Sequence, residues 1–160
     1  MYSKILVAVD GSESAAQALT EALRLCAALG AGLTVVHVID NSYLRYEVGY
    51  VDLTDLRTSL IDAGQMLLDE AKAKAAASQV KCTTLMIDEV LALGDVATAI
   101  EQAARQAGAE LLVVGTHGRR GVRRLLMGSV AEGLVRQCRL PVLLVHAPVP
   151  KVKADAEPAQ

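Results

Sequence analysis

The 160-residue sequence has no Trp, no Phe and only four Tyr, three of which (Tyr43, Tyr46, Tyr50) crowd into one stretch. So few aromatic faces make a poor platform for stacking bases, which argues against a nucleic-acid surface. The core is left to aliphatic side chains. Cysteine is scarce too: Cys26, Cys82 and Cys138 stand far apart, odd in number and without a CxxC pair. That pattern indicates neither a disulfide framework nor a zinc site. Cys26 and Cys138 fall on apolar helical stripes and read as buried thiols. Long hydrophobic runs are also missing. After one early Lys the first apolar run is only Ile5–Val9, too short for a signal peptide, and no run is long enough to span a membrane. A reducing cytoplasm is the expected compartment.

Neither sign of charge dominates, the formal net charge being −2. The small value hides an asymmetry. Residues 1–110 carry 8 basic and 15 acidic groups, whereas residues 111–160 carry 8 basic and 3 acidic. The basic surplus gathers at Arg119, Arg120, Arg123 and Arg124. A local basic cluster on a mildly acidic chain suits a small anionic ligand better than a nucleic acid. A solvated loop is the plainer alternative.

What is present is a chain 52% hydrophobic and 21% charged, a balance that excludes global disorder. At this length one domain is the default, burying about two-thirds of its surface on folding. Short aliphatic runs alternate with longer helical patterns. Ile5–Val9, Leu33–Ile39, a weaker Lys81–Ile87, Leu111–Val114 and Val142–Val145 read as strands buried on both faces. Between them lie four apolar stripes at helical spacing: Ala15, Leu19, Ala22, Leu23, Cys26 and Leu29; Leu56, Leu60, Ala63, Leu67 and Ala71; Val96, Ala99, Ile100, Ala103, Ala104 and Ala107; Val130, Ala131, Leu134, Val135 and Cys138. Asp95 is placed to cap the third helix, and Gly30 and Gly108 stand where the first and third should stop. The order β-α-β-α-β-α-β-α-β predicts an α/β fold: a doubly wound five-stranded parallel sheet with helices on both faces. Residues 41–52 read as a loop, and residues 148–160, with three Pro and alternating charges, as a flexible C-terminal tail on a 1–147 domain.

In such sheets ligands bind outside the carboxyl ends of the strands where the strand order reverses. The first strand runs into Val9-Asp10-Gly11-Ser12. The fourth runs into Val114-Gly115-Thr116-His117-Gly118-Arg119-Arg120-Gly121 and on to Met127-Gly128-Ser129-Val130, where the fourth helix begins. Gly115 and Gly118 are expected to give the backbone positive φ and a close approach to a ligand, with their N–H groups forming an anion-binding concavity. Gly128 and Ser129 sit at a helix N-terminus, which favours phosphate. The Ser129 hydroxyl can donate to a phosphate oxygen or cap the helix. The segment is neither a Walker loop nor GxGxxG.

The spacing Gly115-x2-Gly118-x9-Gly128-Ser129 resembles the nucleotide-binding motif of the universal stress protein family, in its ATP-binding branch. Lys4-Ile5-Leu6-Val7-Ala8-Val9-Asp10-Gly11-Ser12 is similar to that family's first strand, and His37-Val38-Ile39-Asp40 to its second strand end. Gly94-Asp95 is similar to the start of its third helix, and Leu140-Pro141-Val142-Leu143-Leu144-Val145 to its last strand. The resemblance covers residues 1–147. It implies a Rossmann-like sheet in the order 3-2-1-4-5, with ATP, accompanied by Mg2+, across the ends of strands one and four. It also implies that Asp10 and the backbone at Val38 contact adenosine, and that Val114, Gly115, Gly118, Gly128, Ser129 and Val130 cradle ribose and triphosphate. The implied role is that of a stress-response regulatory protein signalling through its nucleotide state.

Each residue also has a plainer reading. Asp10 can simply favour the first helix dipole. Arg119 is the expected phosphate contact of its cluster, the other arginines being solvated. His117 lies inside the phosphate loop with no carboxylate near in sequence to orient it, so no catalytic residue is assigned. His37 and His146 read as structural, and Thr116 as satisfying turn backbone. The alternative to a pure binding protein is a slow ATPase or phosphotransferase, but the metal-holding acid pair of fast phosphoryl transfer is not found and no protein metal ligand is assigned. The fully aliphatic Val142–Val145, with no Lys or Glu to discourage pairing, is expected to be an exposed edge and the seam of a homodimer. A further protein partner is expected but unspecified.

Overall fold

The computed structural model describes residues 1–40, 54–88, 96–117 and 127–147. Nine elements alternate: β1 (Lys4–Ala8), α1 (Glu13–Leu29), β2 (Gly32–Val38), α2 (Thr54–Ala77), β3 (Cys82–Ile87), α3 (Val96–Gln106), β4 (Leu111–Gly115), α4 (Ser129–Gln137) and β5 (Val142–Val145). The strands form one sheet in the order β3-β2-β1-β4-β5, with every neighbouring pair parallel. The fold class and strand order are therefore those expected. The reversal point lies between β1 and β4, whose register runs from Ile5 opposite Leu111 to Val7 opposite Val113.

Side-chain alternation divides the strands between two aliphatic cores. Ile5, Val7, Leu33, Val35, Leu111 and Val113 pack under Ala18, Leu19, Ala22, Leu23 and Cys26 of α1 and Leu68, Ala71 and Ala75 of α2. Leu6, Val36, Leu112 and Val114 pack under Ala97, Ile100, Ala103 and Ala104 of α3 and Ala131 and Leu134 of α4. The alanines let the helices lie close on the sheet. Ser12 caps α1, its side chain accepting from the Ala15 amide at 3.2 Å. Gly30 (φ 67°) and Gly108 (φ 64°) end their helices in the left-handed conformation, as their positions indicated. Burial, and then the nearby Cys82 thiol, push the Cys26 pKa up to about 11, which makes Cys26 an inert core thiol.

Two stripes differ from expectation. In α2 the buried seam is Gly64, Leu68, Ala71 and Ala75, while Leu56 is exposed and Ala63 faces solvent. Adjacent leucines at 67 and 68 make the phase ambiguous by one residue, and the choice is settled by a glycine that carries no hydropathy signal. In α4, Val135 is exposed and Cys138, the C-cap, is only half-buried, because a nine-residue helix presents little more than Ala131 and Leu134 to the sheet. Among the described residues no helix is long and apolar enough to cross a membrane. The Tyr43–Tyr50 stretch, Gly94, Asp95, Gly118, Arg119, Arg120, Arg123, Arg124 and the 148–160 tail lie outside the described residues.

Candidate functional site

At the carboxyl end of β1 the chain leaves the sheet through a tight corner. Asp10 Oδ1 accepts from the Ser12 amide at 2.9 Å, across Gly11 at φ 82°. Ser12 then caps α1, and its carbonyl accepts from the Ala16 amide at 3.0 Å. The carboxylate of Asp10 thus sets the start of α1 while standing at the switch point of the sheet.

Next to this corner β4 ends at Gly115. Its backbone does not adopt positive φ; among the described residues the positive-φ glycines are Gly11, Gly30 and Gly108. The reason for glycine here is close packing. A Cβ would stand 2.7 Å from the Ser14 carbonyl carbon and 2.8 Å from the Ala15 amide nitrogen, so only a bare Cα lets β4 meet the first turn of α1. Ser14, 1% exposed, completes the contact: its hydroxyl donates to the His117 carbonyl and accepts from the His117 amide at 3.3 Å.

Thr116 is the hub of the β4 end. It is 3% exposed; its amide donates to the Val145 carbonyl at 2.9 Å, and its own carbonyl accepts from the Gly128 amide at 2.7 Å. Its hydroxyl lies 2.9 Å from His117 Nδ1 and 3.2 Å from His146 Nδ1. One hydroxyl has one proton, so at most one ring accepts from it and the other must present Nδ1–H. The Gly128 bond hangs α4 from the end of β4. Gly128 is the N-cap (φ −62°, ψ 152°), so its amide is already used and it brings no capping side chain. The exposed Ser129 and the half-buried Val130 form the first turn, where helix amides have no acceptor within the helix.

The site residues expected from sequence therefore divide. Asp10, Gly115, Gly128, Ser129 and Val130 come to the carboxyl edge of β1 and β4. Val38 ends the neighbouring strand, half-buried, and Val114 is 3% exposed; both side chains pack into the second core, so at this edge each offers main chain. Gly118 and Arg119 fall outside the described residues. Ser14 and the Thr116–His117–His146 set have a larger part than the sequence suggested. A serine on the apolar stripe of α1 is one signal that could have found them. The other is His146, one residue past Val145, which pairs with Gly115. Among the described residues no group of three or more His, Cys, Asp or Glu could hold a metal ion.

Comparisons with known proteins bear on this geometry. The model of the Universal stress protein family matches residues 1–146. A universal stress protein of Bacillus subtilis, YxiE, is 33% identical over 154 residues, covering 91% of this chain and all of that protein. The crystal structure of a universal stress protein family member from Burkholderia pseudomallei is 37% identical, with a TM-score of 0.75 over 90% of this chain and 96% of that one. A universal stress protein crystallised in complex with cAMP is 25% identical, with a TM-score of 0.62 over 92% of this chain and 98% of that one.

Proposed function

Because this chain belongs to the universal stress protein family, we propose that it binds ATP at the carboxyl edge of β1 and β4 and acts as a stress-response regulator. In this reading its nucleotide state is the signal, and its working form is a homodimer paired through β5. The observation that carries the reading is the hanging of α4 from β4. The Gly128 amide bonds Thr116 at 2.7 Å, which sets the first turn of α4 at the carboxyl end of β4, the strand that pairs with β1. First-turn amides without an acceptor in the helix and the positive end of a helix dipole suit a phosphate chain. The family member holding cAMP supports a nucleotide as the class of ligand.

Asp10 and the main chain at Val38 take the adenosine end. Val114, Gly115, Gly118, Gly128, Ser129 and Val130 take ribose and phosphates, with Arg119 adding charge. The oxygen donors on hand for Mg2+ are the Ser129 hydroxyl and the Asp10 carboxylate, of which Oδ1 already accepts from Ser12. A magnesium ion there would be held mainly by phosphate oxygens and water, as is usual for this cation. Binding without fast turnover is the favoured activity. His117 Nδ1 is turned to the Thr116 hydroxyl, a group that cannot stabilise an imidazolium as a carboxylate would.

Calorimetry on the purified wild type, with chromatography of the nucleotide released on denaturation, tests the reading. ATP is expected in both, with turnover below ~1 s⁻¹. Gly118→Val is expected to weaken affinity by about tenfold or more. A folded wild type that binds no nucleotide would sink the proposal.

A further inference from the structure

Glycine is a poor choice for the interior of a helix, where its backbone loses more freedom on folding than that of alanine. Gly64 nevertheless sits in the middle of α2, on its buried seam. The cause is across the interface. A Cβ at 64 would stand 2.6 Å from Cδ2 and 3.0 Å from Nε2 of His37, and 3.4 Å from the Met86 methyl. The imidazole of His37, 4% exposed, lies edge-on against the bare helix backbone.

The other edge of that ring faces the switch point. The β1–β2 pairing ends at Ala8 opposite Val36, one step before Val9 would pair with His37. The Val9 amide still reaches the Val36 carbonyl at 2.9 Å. Where the ladder stops, a side chain takes over: His37 Nδ1 lies 2.8 Å from the Val9 carbonyl oxygen. A carbonyl only accepts, so Nδ1 carries the hydrogen. The residue whose carbonyl is held is the one before Asp10, whose carboxylate shapes the turn into α1 through the Ser12 amide.

We infer that His37 is a positioning residue of the nucleotide site and that Gly64 is its seat. The ring, wedged against α2, fixes the Val9 carbonyl by hydrogen bond and thereby aims the Asp10 turn. This assignment rests on the function proposed above, because a positioned Asp10 matters only if a ligand meets it. It adds His37, which acts through the Val9 carbonyl, and α2, whose Gly64 seats the ring.

The test compares His37→Leu, which removes the donor, with His37→Asn, whose side-chain amide can place an N–H where Nδ1 was, and with Gly64→Ala, which pushes the ring out of its seat. Two readouts are taken: hydrogen exchange of the Ser12 amide, which reports the turn without any ligand, and calorimetric affinity for ATP. His37→Leu is expected to speed Ser12 exchange and weaken ATP binding about tenfold, while His37→Asn stays within about threefold of wild type. Gly64→Ala is expected to follow His37→Leu, and it carries the test should His37→Leu fail to fold. Unchanged Ser12 exchange and ATP affinity in His37→Leu or Gly64→Ala would overturn the inference. So would equal losses in the Leu and Asn variants, which would make the side chain a mere filler. A wild type that binds no ATP would defeat the proposed function instead, with Ser12 exchange still deciding whether His37 sets the turn.

Discussion

The sheet has two edges of unlike character. β3 alternates, with Thr83 and Leu85 exposed and Cys82, Thr84 and Met86 half-buried. β5 is Val-Leu-Leu-Val, every residue half-buried, with Leu143 and Val145 turned to one core and Val142 and Leu144 to the other. Their main chains compare directly. Lys81 and Ile87 point their carbonyls at β2, and Pro141 and Val145 point theirs at β4. By the two-residue alternation of a strand, the groups facing away from the sheet are those of Cys82, Thr84 and Met86 on one edge and of Val142 and Leu144 on the other. One edge mixes threonine into its outward set; the other presents aliphatic residues alone. Sheets that must stay single discourage such an edge with charge or proline. Nothing in β5 does so, which makes it the side on which a second copy is expected to add.

The largest expected effect breaks this comparison at the backbone. Proline at position 144 removes an outward N–H while leaving the β4 ladder its donors, whereas proline at 143 would cut the ladder itself. Sedimentation of the wild type at micromolar concentration should give about twice the 16.8 kDa chain mass. Leu144→Pro should move it to monomer, and Thr84→Pro, its counterpart on β3, should not. Equal responses would remove the distinction between the edges.

Next in size is an alkaline effect in the core that Cys26 of α1 shares with Cys82 of β3. The folded pKa of Cys26 is raised from 9.0 to about 11, so the folded state favours the neutral thiol. The contribution is complete below pH 9 and is lost as pH rises towards 11, amounting to about 2–3 kcal/mol. Denaturant titrations across that range should show the fall in wild type and a flatter line in Cys26→Ala.

On the β5 side, Thr116→Val keeps the shape of a buried residue but unties His117 and His146 from its hydroxyl. A loss of about 1 kcal/mol in unfolding free energy is expected, together with new mobility of the His146 ring by NMR. The smallest effect returns to β3, where Arg57 of α2 meets Asp88 at 2.7 Å, both partly exposed. Arg57→Gln should cost at most about 1 kcal/mol, and less at high salt.

A contrast between local and distant causes decides what is legible in the sequence. β1, β4 and β5 are legible as aliphatic runs and β2 as one broken only by Thr34 and His37, and their observed bounds differ from the expected ones by at most one residue. β3 reads weakly because an edge strand with one open face carries threonines where a central strand carries valines. The corners at Asp10 and Gly128–Ser129 are legible because a short polar residue or glycine must stand at a helix start. Gly115 is legible as a glycine at a strand end, but not as a positive-φ one, and the packing that requires it lies a hundred residues away in Ser14. Gly64 and the Thr116–His146 bond were not found at all. Both depend on register between elements distant in the chain, which periodicity within one element does not encode.

The side chains of Val38 and Val114 belong to the core, so what they turn towards the edge of the sheet is peptide. A peptide group is common to every amino acid. In the proposed site the strands can exchange one aliphatic residue for another under core packing alone, and a ligand bound to the main chain feels no change. A scaffold whose recognition and folding demands fall on different atoms of the same residues can diversify its ligands while keeping its framework.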